Sequence, residues 1–547
     1  MSLTQPSVRV QNWLKNTAAR AEAMSDVKVW ALAALIGVGT AYGVLAFTIA
    51  IEFITDWSYG APSEMLATGA RKLEPLRAFI VPVVGGVLVG CLLFLSRKMG
   101  FIGEIRCQGV AEVIEARARP PGAISMRSGL INTAVCATAL GTGSSAGREG
   151  PAVLLGGAIS VFLSKTFDLS AKDSRTLLGC AAAAAVSAAF NAPIAGVLFA
   201  LEVVLSNYAL SIFSPIAISS IVATLITRYH LGDLHRFVMP EYGGASPFDL
   251  FLGGASGIVA GLVAVSFLIV AGWGRTTARL AISRVHIPPA AMPVVAGVGM
   301  GTIGIFLPEL LGYGYQATTA ALAGNYTIGL LLILLVGKVF TCVLCLSCRF
   351  GTGVFSGGIY LGAMAGAAYG ILMNDAFGTF VASPTFFAIV GMGAVSGAII
   401  GAPISTTLII FELTGDYTMT AALMIAVGIA SVITQVFFGT SWFHYQLNQR
   451  GYDLSEGPQG VILQTIRVRD VMRPVPETAA PLEETADRLF ATQSLGEALA
   501  EMGRLGLDAM PVTAGRGENK LLGTVTQIRA LRAYNKALVD SHIEHHR

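Results

Sequence analysis

Charge is what this chain has least of. Asp, Glu, Lys and Arg make up 13% of its 547 residues, about half the share found in an ordinary soluble domain. No charged residue occurs from Thr176 to Leu201, and after Glu202 none occurs before Arg228. Either run is long enough for a spanning helix, which needs about 20 apolar residues. With 54% hydrophobic residues and a mean hydropathy of +0.67, the chain reads as an integral membrane protein.

The other scarcities each exclude something. A net charge of +3, with no basic tract interleaved with aromatics, excludes a nucleic-acid binder. The first 26 residues contain no early apolar stretch, so a secretory signal peptide is not expected. Lys15, Arg20 and Lys28 precede or open the first apolar run and place the N-terminus in the cytoplasm. No H-E-x-x-H and no Walker-type phosphate loop occurs, and the seven histidines lie in the tail or near segment ends. A membrane enzyme is therefore not expected. Of seven cysteines, three form "CVLCLSC" (342–348). A fourth ligand at cluster spacing is missing, so the trio reads as small apolar residues on a membrane helix, and no metal or other cofactor is expected.

What is abundant is glycine, 63 residues. Apolar runs at 29–53, 78–95, 208–227, 251–272, 290–307, 327–347 and 419–438 read as spanning helices. Others, at 129–142, 151–164 and 354–373, read as too short to cross fully. Short pieces punctuated by glycine and proline predict broken helices that meet inside the protein, because irregular backbone cannot face lipid.

The chain also repeats itself. "FNAPIAGVLFALEVV" (190–204) parallels "IGAPISTTLIIFELT" (400–414), and Pro193 to Pro403 is an offset of 210 residues. Each proline is followed nine positions later by a glutamate, Glu202 and Glu412. "GREGPAVLLGGA" (147–158) pairs with "GVFSGGIYLGAM" (353–364) in the same order. Two related halves with glycine-rich breaks predict a transporter built from repeats.

Three breaks stand out: "CQGVAE" (107–112), "GREGP" (147–151) and "GTGVF" (351–355). The first turn of a helix has N–H groups without intrahelical partners and a partial positive charge. Glycine lets backbone approach an ion closely. Several such turns aimed at one place would bind a small anion without a full positive charge, so the ion could also leave. Few acidic side chains lie in the membrane segments, which argues against a cationic substrate. A charged pair inside the apolar region, Arg148-Glu149, marks the site.

These blocks resemble the CLC family of chloride channels and chloride/proton antiporters, over roughly residues 29–450 and in the family's order. GREGP is its most specific motif. "AAFNAPIAGVLFALE" (188–202), "GVFSGGIYLGAMAG" (353–366) and "CQGVAEVIEA" (107–116) resemble three others. The resemblance implies an all-α polytopic fold of broken, tilted helices in an inverted repeat. It also implies a homodimer in the lipid bilayer with one anion path per subunit, and chloride or a similar small anion as substrate. By position, Gln108, Gly109 and Val110 match the first anion-binding loop. Gly147, Arg148, Glu149, Gly150 and Pro151 flank the outer part of the path, with Glu149 matching the gating glutamate. Val354 and Phe355 match residues whose backbone amides face the central anion.

Three positions depart from the commonest family pattern. Gln108 stands where a serine usually touches the anion; its amide can still donate. Phe443 stands where a tyrosine closes the inner side, with Tyr445 two positions on as another counterpart. Val203, beside Glu202, stands at the inner proton relay of the antiporters, and valine carries no proton. The expectation is therefore passive, Glu149-gated conduction, with proton-coupled exchange by a non-standard inner path as the alternative; Glu202 is expected to hold backbone amides rather than move protons.

The composition changes after about residue 447, and the sequence divides into a cytoplasmic segment (1–26), a membrane domain (27–447, halves about 27–230 and 250–447) and a cytoplasmic tail (448–547). The tail pairs an amphipathic segment, "SLGEALAEMGRLG", with an alternating one, "KLLGTVT", and predicts a small α/β domain; residues 474–486 read as a linker or loop. It resembles a single or truncated CBS motif (465–474 and 494–531). Arg529 stands where such motifs carry a ribose-binding aspartate, so adenine-nucleotide binding is not expected. The resemblance also implies a multi-pass protein of the plasma (inner) membrane with both termini in the cytoplasm.

Overall fold

The computed structural model describes residues 8–102, 107–118, 124–232, 246–284, 286–378, 381–450, 463, 466–475, 487–515 and 520–546. The contacts divide the chain into two compact units, one of Met1–Ile114 with Pro121–Trp442, the other of Glu115–Pro120 with Phe443–Arg547.

Among its described residues, the regular elements of the first unit are all helices. It opens with α1 (Val8–Tyr59), a short α2 (Leu66–Lys72), α3 (Pro75–Lys98) and α4 (Val110–Ala118), whose last turn belongs to the second unit. Next come α5 (Met126–Gly141), α6 (Glu149–Thr166), α7 (Ala171–Phe190), α8 (Pro193–Phe199) and α9 (Leu210–Leu231). The later half is α10 (Pro247–Arg284), α11 (Met292–Phe306), α12 (Tyr315–Leu322), α13 (Ile328–Ser347), α14 (Phe355–Phe377), α15 (Pro384–Ile400), α16 (Pro403–Thr414), α17 (Tyr417–Phe437) and α18 (Trp442–Asn448), of which only Trp442 belongs to this unit.

Among the described residues, seven helices are long and apolar enough to cross a membrane. They include Phe355–Phe377, 23 residues long, where the sequence reading expected a piece too short to cross. Conversely the run at 290–307 gives only the 15-residue α11. Hydropathy sees where apolar residues start and stop, not where a helix begins or ends. Large apolar side chains such as Phe53, Trp57, Phe251, Phe340 and Val436 stay exposed, as a lipid-facing surface requires.

Small residues let the inner helices touch. A Cβ on Gly362 of α14 would lie 2.1 Å from the carbonyl oxygen of Gly391 on α15. A Cβ on Gly156 of α6 would lie 2.9 Å from that of Ala181 on α7. Such close backbone approach is how membrane helices pack, since lipid removes the hydrophobic drive between them.

The repeat is visible in the backbone. α7 ends on Asn191 and α15 on Gly401, both left-handed (φ 58° and 71°). Asn and Gly are the residues that tolerate that conformation. An alanine follows in each copy, then a proline at the first turn of α8 or α16, where its missing N–H costs nothing.

The second unit contains a four-stranded sheet in the order β1-β4-β3-β2, made of β1 (Arg473–Pro474), β2 (Leu489–Phe490), β3 (Ala509–Thr513) and β4 (Leu521–Thr526). β3 pairs antiparallel with β4 and parallel with β2. Helices α19 (Val468–Val471), α20 (Leu495–Leu505) and α21 (Gln527–His546) accompany it. Val468, Leu489, Leu495, Val512 and Val525 form its core. α20 starts on a Ser494/Glu497 capping box and stops at left-handed Gly506. Most of the expected linker, 476–486, lies outside the described residues.

Candidate functional site

The three glycine-marked breaks meet. The Gly147 N–H donates to the Gly353 carbonyl at 3.0 Å. A Cβ placed on Gly150 would lie 3.6 Å from the Cα atoms of both Gly109 and Gly353. One placed on Gly353, whose φ is +96°, would lie 2.6 Å from the Gly147 oxygen. Only glycine satisfies that backbone and that proximity together. The N-terminal turns of α4, α6 and α14 are thereby brought to one junction, each contributing partial positive charge.

Glu149 is the first residue of α6, with Arg148 as its N-cap and Pro151 two places on. Its side chain is 6% exposed. Oε1 accepts a hydrogen bond from the Ser356 hydroxyl, in the first turn of α14. Oε2 turns back over Gly147, where a Cβ would lie 2.5 Å away, and has no hydrogen-bond partner. The carboxylate thus lies across the facing ends of two helices, where negative charge is favoured. Arg148 does not pair with it; its guanidinium stacks 5.2 Å from the Tyr313 ring centroid. Glu149, Phe190, Tyr313, Tyr315 and Ser356 share one cavity. Val354 is the N-cap of α14 and Phe355 its first residue, both buried, with Phe355 edge-on to Phe190 at 5.1 Å.

The first loop is tied more tightly than its sequence indicates. The Gln108 N–H donates to Asn132 Oδ1 at 2.9 Å. Its side-chain oxygen accepts from Ser128 Oγ at 3.1 Å and from Asn132 Nδ2 at 3.3 Å. The Gly109 N–H donates to Glu112 Oε2 at 2.6 Å, so that amide is already engaged by the helix's own acid. Val110 begins α4 and is buried.

At the other set of helix ends, Glu202 and Val203 lie in a π-helical turn, Ala200–Leu205, that prolongs α8. Glu202 accepts the N–H groups of Ile404 and Ser405 at 3.0 and 2.8 Å, and the Ser405 hydroxyl as well. Glu412 does the same for α8, accepting from Ile194 and Ala195 at 2.9 and 2.8 Å. Each glutamate caps the other copy's helix. Val203 is buried. Phe443, also buried, is grouped with the second unit rather than with the residues around Glu149.

Sequence reasoning missed four contributors. Ser356 follows Val354-Phe355 and needed only one more step along the motif. Tyr313 sits on an unremarkable loop, and Tyr315 opens α12 just after it. Lys338 of α13 is fully buried; its Nζ donates to the Gly312 carbonyl at 2.8 Å and lies 4.7 Å from the Tyr360 ring centroid. An ionisable group at membrane depth is a functional signal, and here it anchors the loop that carries Tyr313. The cysteines of α13 also gain a role: Cys345 Sγ accepts the Ser145 N–H at 3.3 Å, and Ser145 Oγ meets Thr341 Oγ1 at 3.1 Å. They hold the strap leading into Gly147. Among the described residues no cluster is placed to bind a metal.

Comparison with known proteins bears on the family and the fold. Residues 99–435 match the family described as "Voltage gated chloride channel". The chain is 30% identical over 400 residues to a putative chloride channel protein ClcB-like of Ralstonia nicotianae, covering 72% of this chain and 91% of that one. It is 32% identical over 321 residues to the H(+)/Cl(−) exchange transporter ClcA of Vibrio cholerae, covering 57% of this chain and 67% of that one. In fold it resembles a slow cyanobacterial Cl−/H+ antiporter, with a TM-score of 0.68 at 21% identity, over 77% of this chain and 97% of that one.

Proposed function

The chain belongs to the voltage gated chloride channel family, and from that premise we propose that it exchanges chloride, or a similar small anion, for protons, with Glu149 as the gate. One observation carries the reading: a buried carboxylate occupies the seat between the N-termini of α6 and α14. A carboxylate there is a tethered anion that competes with a free one. Protonated, it no longer competes; withdrawn, it yields the place. Coupling follows if its proton is taken on one side and released on the other. The exchange activity named for the Vibrio relative supports this mode.

The reading expected from sequence, passive conduction, stands second, and a specific observation favours it. Val203 is apolar and buried, and Glu202 is engaged by the amides of α16, so the usual inner acid is missing. Reconstitution into liposomes with a chloride gradient, recording anion flux and internal pH together, separates the two. Uphill proton movement driven by chloride establishes exchange; dissipation of the chloride gradient with no proton movement establishes conduction.

Around this core the assembly is a homodimer in a bilayer, with both termini cytoplasmic and the tail acting as a CBS-like stabilising module. Arg529, exposed in the first turn of α21, provides no carboxylate for a ribose, and ATP should leave transport unchanged.

A further inference from the structure

One Glu149 carboxylate oxygen has no hydrogen-bond partner, and a hydrogen-bonded chain ends on a residue that lines the cavity Glu149 also lines. Glu52, half-buried near the end of α1, accepts the Ser63 N–H at 2.8 Å through Oε2 and the Ser63 hydroxyl through Oε1. Ser63 is buried at the start of a tight turn, Ser63–Met65, just after α1. Its Oγ lies 2.7 Å from the Tyr313 hydroxyl. Tyr313 lines the cavity that holds Glu149, with its ring under the Arg148 guanidinium.

We propose that Glu52, Ser63 and Tyr313 form a proton relay that loads Glu149. This rests on the reading of Glu149 as a protonatable gate. Three residues distant in sequence, 52, 63 and 313, make one hydrogen-bonded row of oxygens whose last member belongs to a residue lining the cavity that Glu149 also lines.

The chemistry is proton hopping. With Glu52 ionised, Ser63 gives its hydroxyl proton toward Oε1, and Tyr313 donates to Ser63. When Glu52 takes a proton from solution, the row reverses. Glu52 donates to Ser63, Ser63 passes its own proton to Tyr313, and Tyr313 releases its proton into the cavity toward Glu149 Oε2. Each hydroxyl gains one proton and loses one, no bond to carbon changes, and rotation of the hydroxyls resets the row. Ionisable chains of this kind are how protons cross regions closed to water. The groups facing the row are Glu64, next to Ser63, Arg148 over Tyr313, and Tyr315 across the cavity; Asp56 lies one turn along α1. The Arg148 charge discourages a free hydronium there, so a relay of neutral hydroxyls is the route the site permits.

The test is the speed of activation, not its end point. Liposomes carrying the full-length protein are acidified outside by rapid mixing, and the onset of chloride flux is timed. Glu52→Gln, Ser63→Ala and Tyr313→Phe should each slow the onset by about tenfold or more, the scale of a lost proton-transfer partner. Glu52→Asp should recover most of the rate. In a Glu149→Gln background, which has no acid-triggered onset to time, the steady chloride efflux should be the same with and without the first two substitutions, because no carboxyl is left to load. Onset at the parent rate in all three variants overturns the relay. So does a comparable loss of steady efflux in the Glu149→Gln background, which would mark a structural defect. If the parent itself ignores external acid, it is the reading of Glu149 that fails, and the relay falls with it.

Discussion

At residues 147–151 and again at 353–357 the chain makes the same move: a glycine strap, then a buried helix start that faces the other across a junction. The backbones correspond, but the side chains do not. Where the first copy places Arg148, Glu149 and Gly150, the second places Val354, Phe355 and Ser356. The downstream ends of the two copies stay alike, since Glu202 caps α16 as Glu412 caps α8. Duplication thus supplies a symmetric pair of helix ends, while divergence at three positions supplies one buried carboxylate and one hydroxyl bonded to it. On the proposed reading, symmetry alone would bind an anion, and the asymmetry makes the binding conditional.

That contrast can be broken at its strongest point first. Glu149→Gln makes the first break as neutral as the second. It should abolish proton movement and leave anion flux that no longer depends on external pH, measured with a chloride electrode and an internal pH dye. If the variant keeps the parent's pH response, the two breaks do not differ in the way described.

The reciprocal caps are the symmetric part and should behave symmetrically. Glu202→Ala and Glu412→Ala each strip a charged acceptor from two helix-end amides, at a cost of about 3 kcal/mol. Thermal melting in detergent should fall by similar amounts for both. A much larger loss of transport than of stability in Glu202→Ala alone would give that residue a role its twin lacks.

Smaller effects sharpen the picture. Ser356→Ala removes the hydroxyl that holds Glu149, worth about 1 kcal/mol, and should raise chloride flux at neutral pH roughly fivefold, read in the same efflux assay. Gln108→Ser releases Ser128 and Asn132 from its side chain and should shift the relative permeability of chloride, nitrate and fluoride by a few-fold, again an energy of about 1 kcal/mol. Equal ratios before and after would remove Gln108 from the selectivity of the path.

Much of this was legible in the residues themselves. Scarce charge and long apolar runs fix a membrane protein. The spacing of Pro193 to Glu202 and Pro403 to Glu412 discloses the repeat. Glycines at 109, 147, 150 and 353 mark the breaks, since close approach and left-handed backbone are written in a single residue type. Even the holding role expected of Glu202 follows from an acid beside an apolar turn.

What the sequence could not disclose depends on which distant segments touch. Nothing about Glu112 indicates that it engages the Gly109 amide, and nothing about Tyr313 indicates a place in the cavity that Glu149 lines, or about Lys338 that it anchors the adjoining loop. The length of α14 was equally hidden, because winding continues past the apolar run. Local chemistry determined what each segment can offer: a helix end, a cap, a carboxylate. Only tertiary packing decided which of them face one another, because hydrogen bonds and charges act over a few ångströms of space however far apart they lie along the chain.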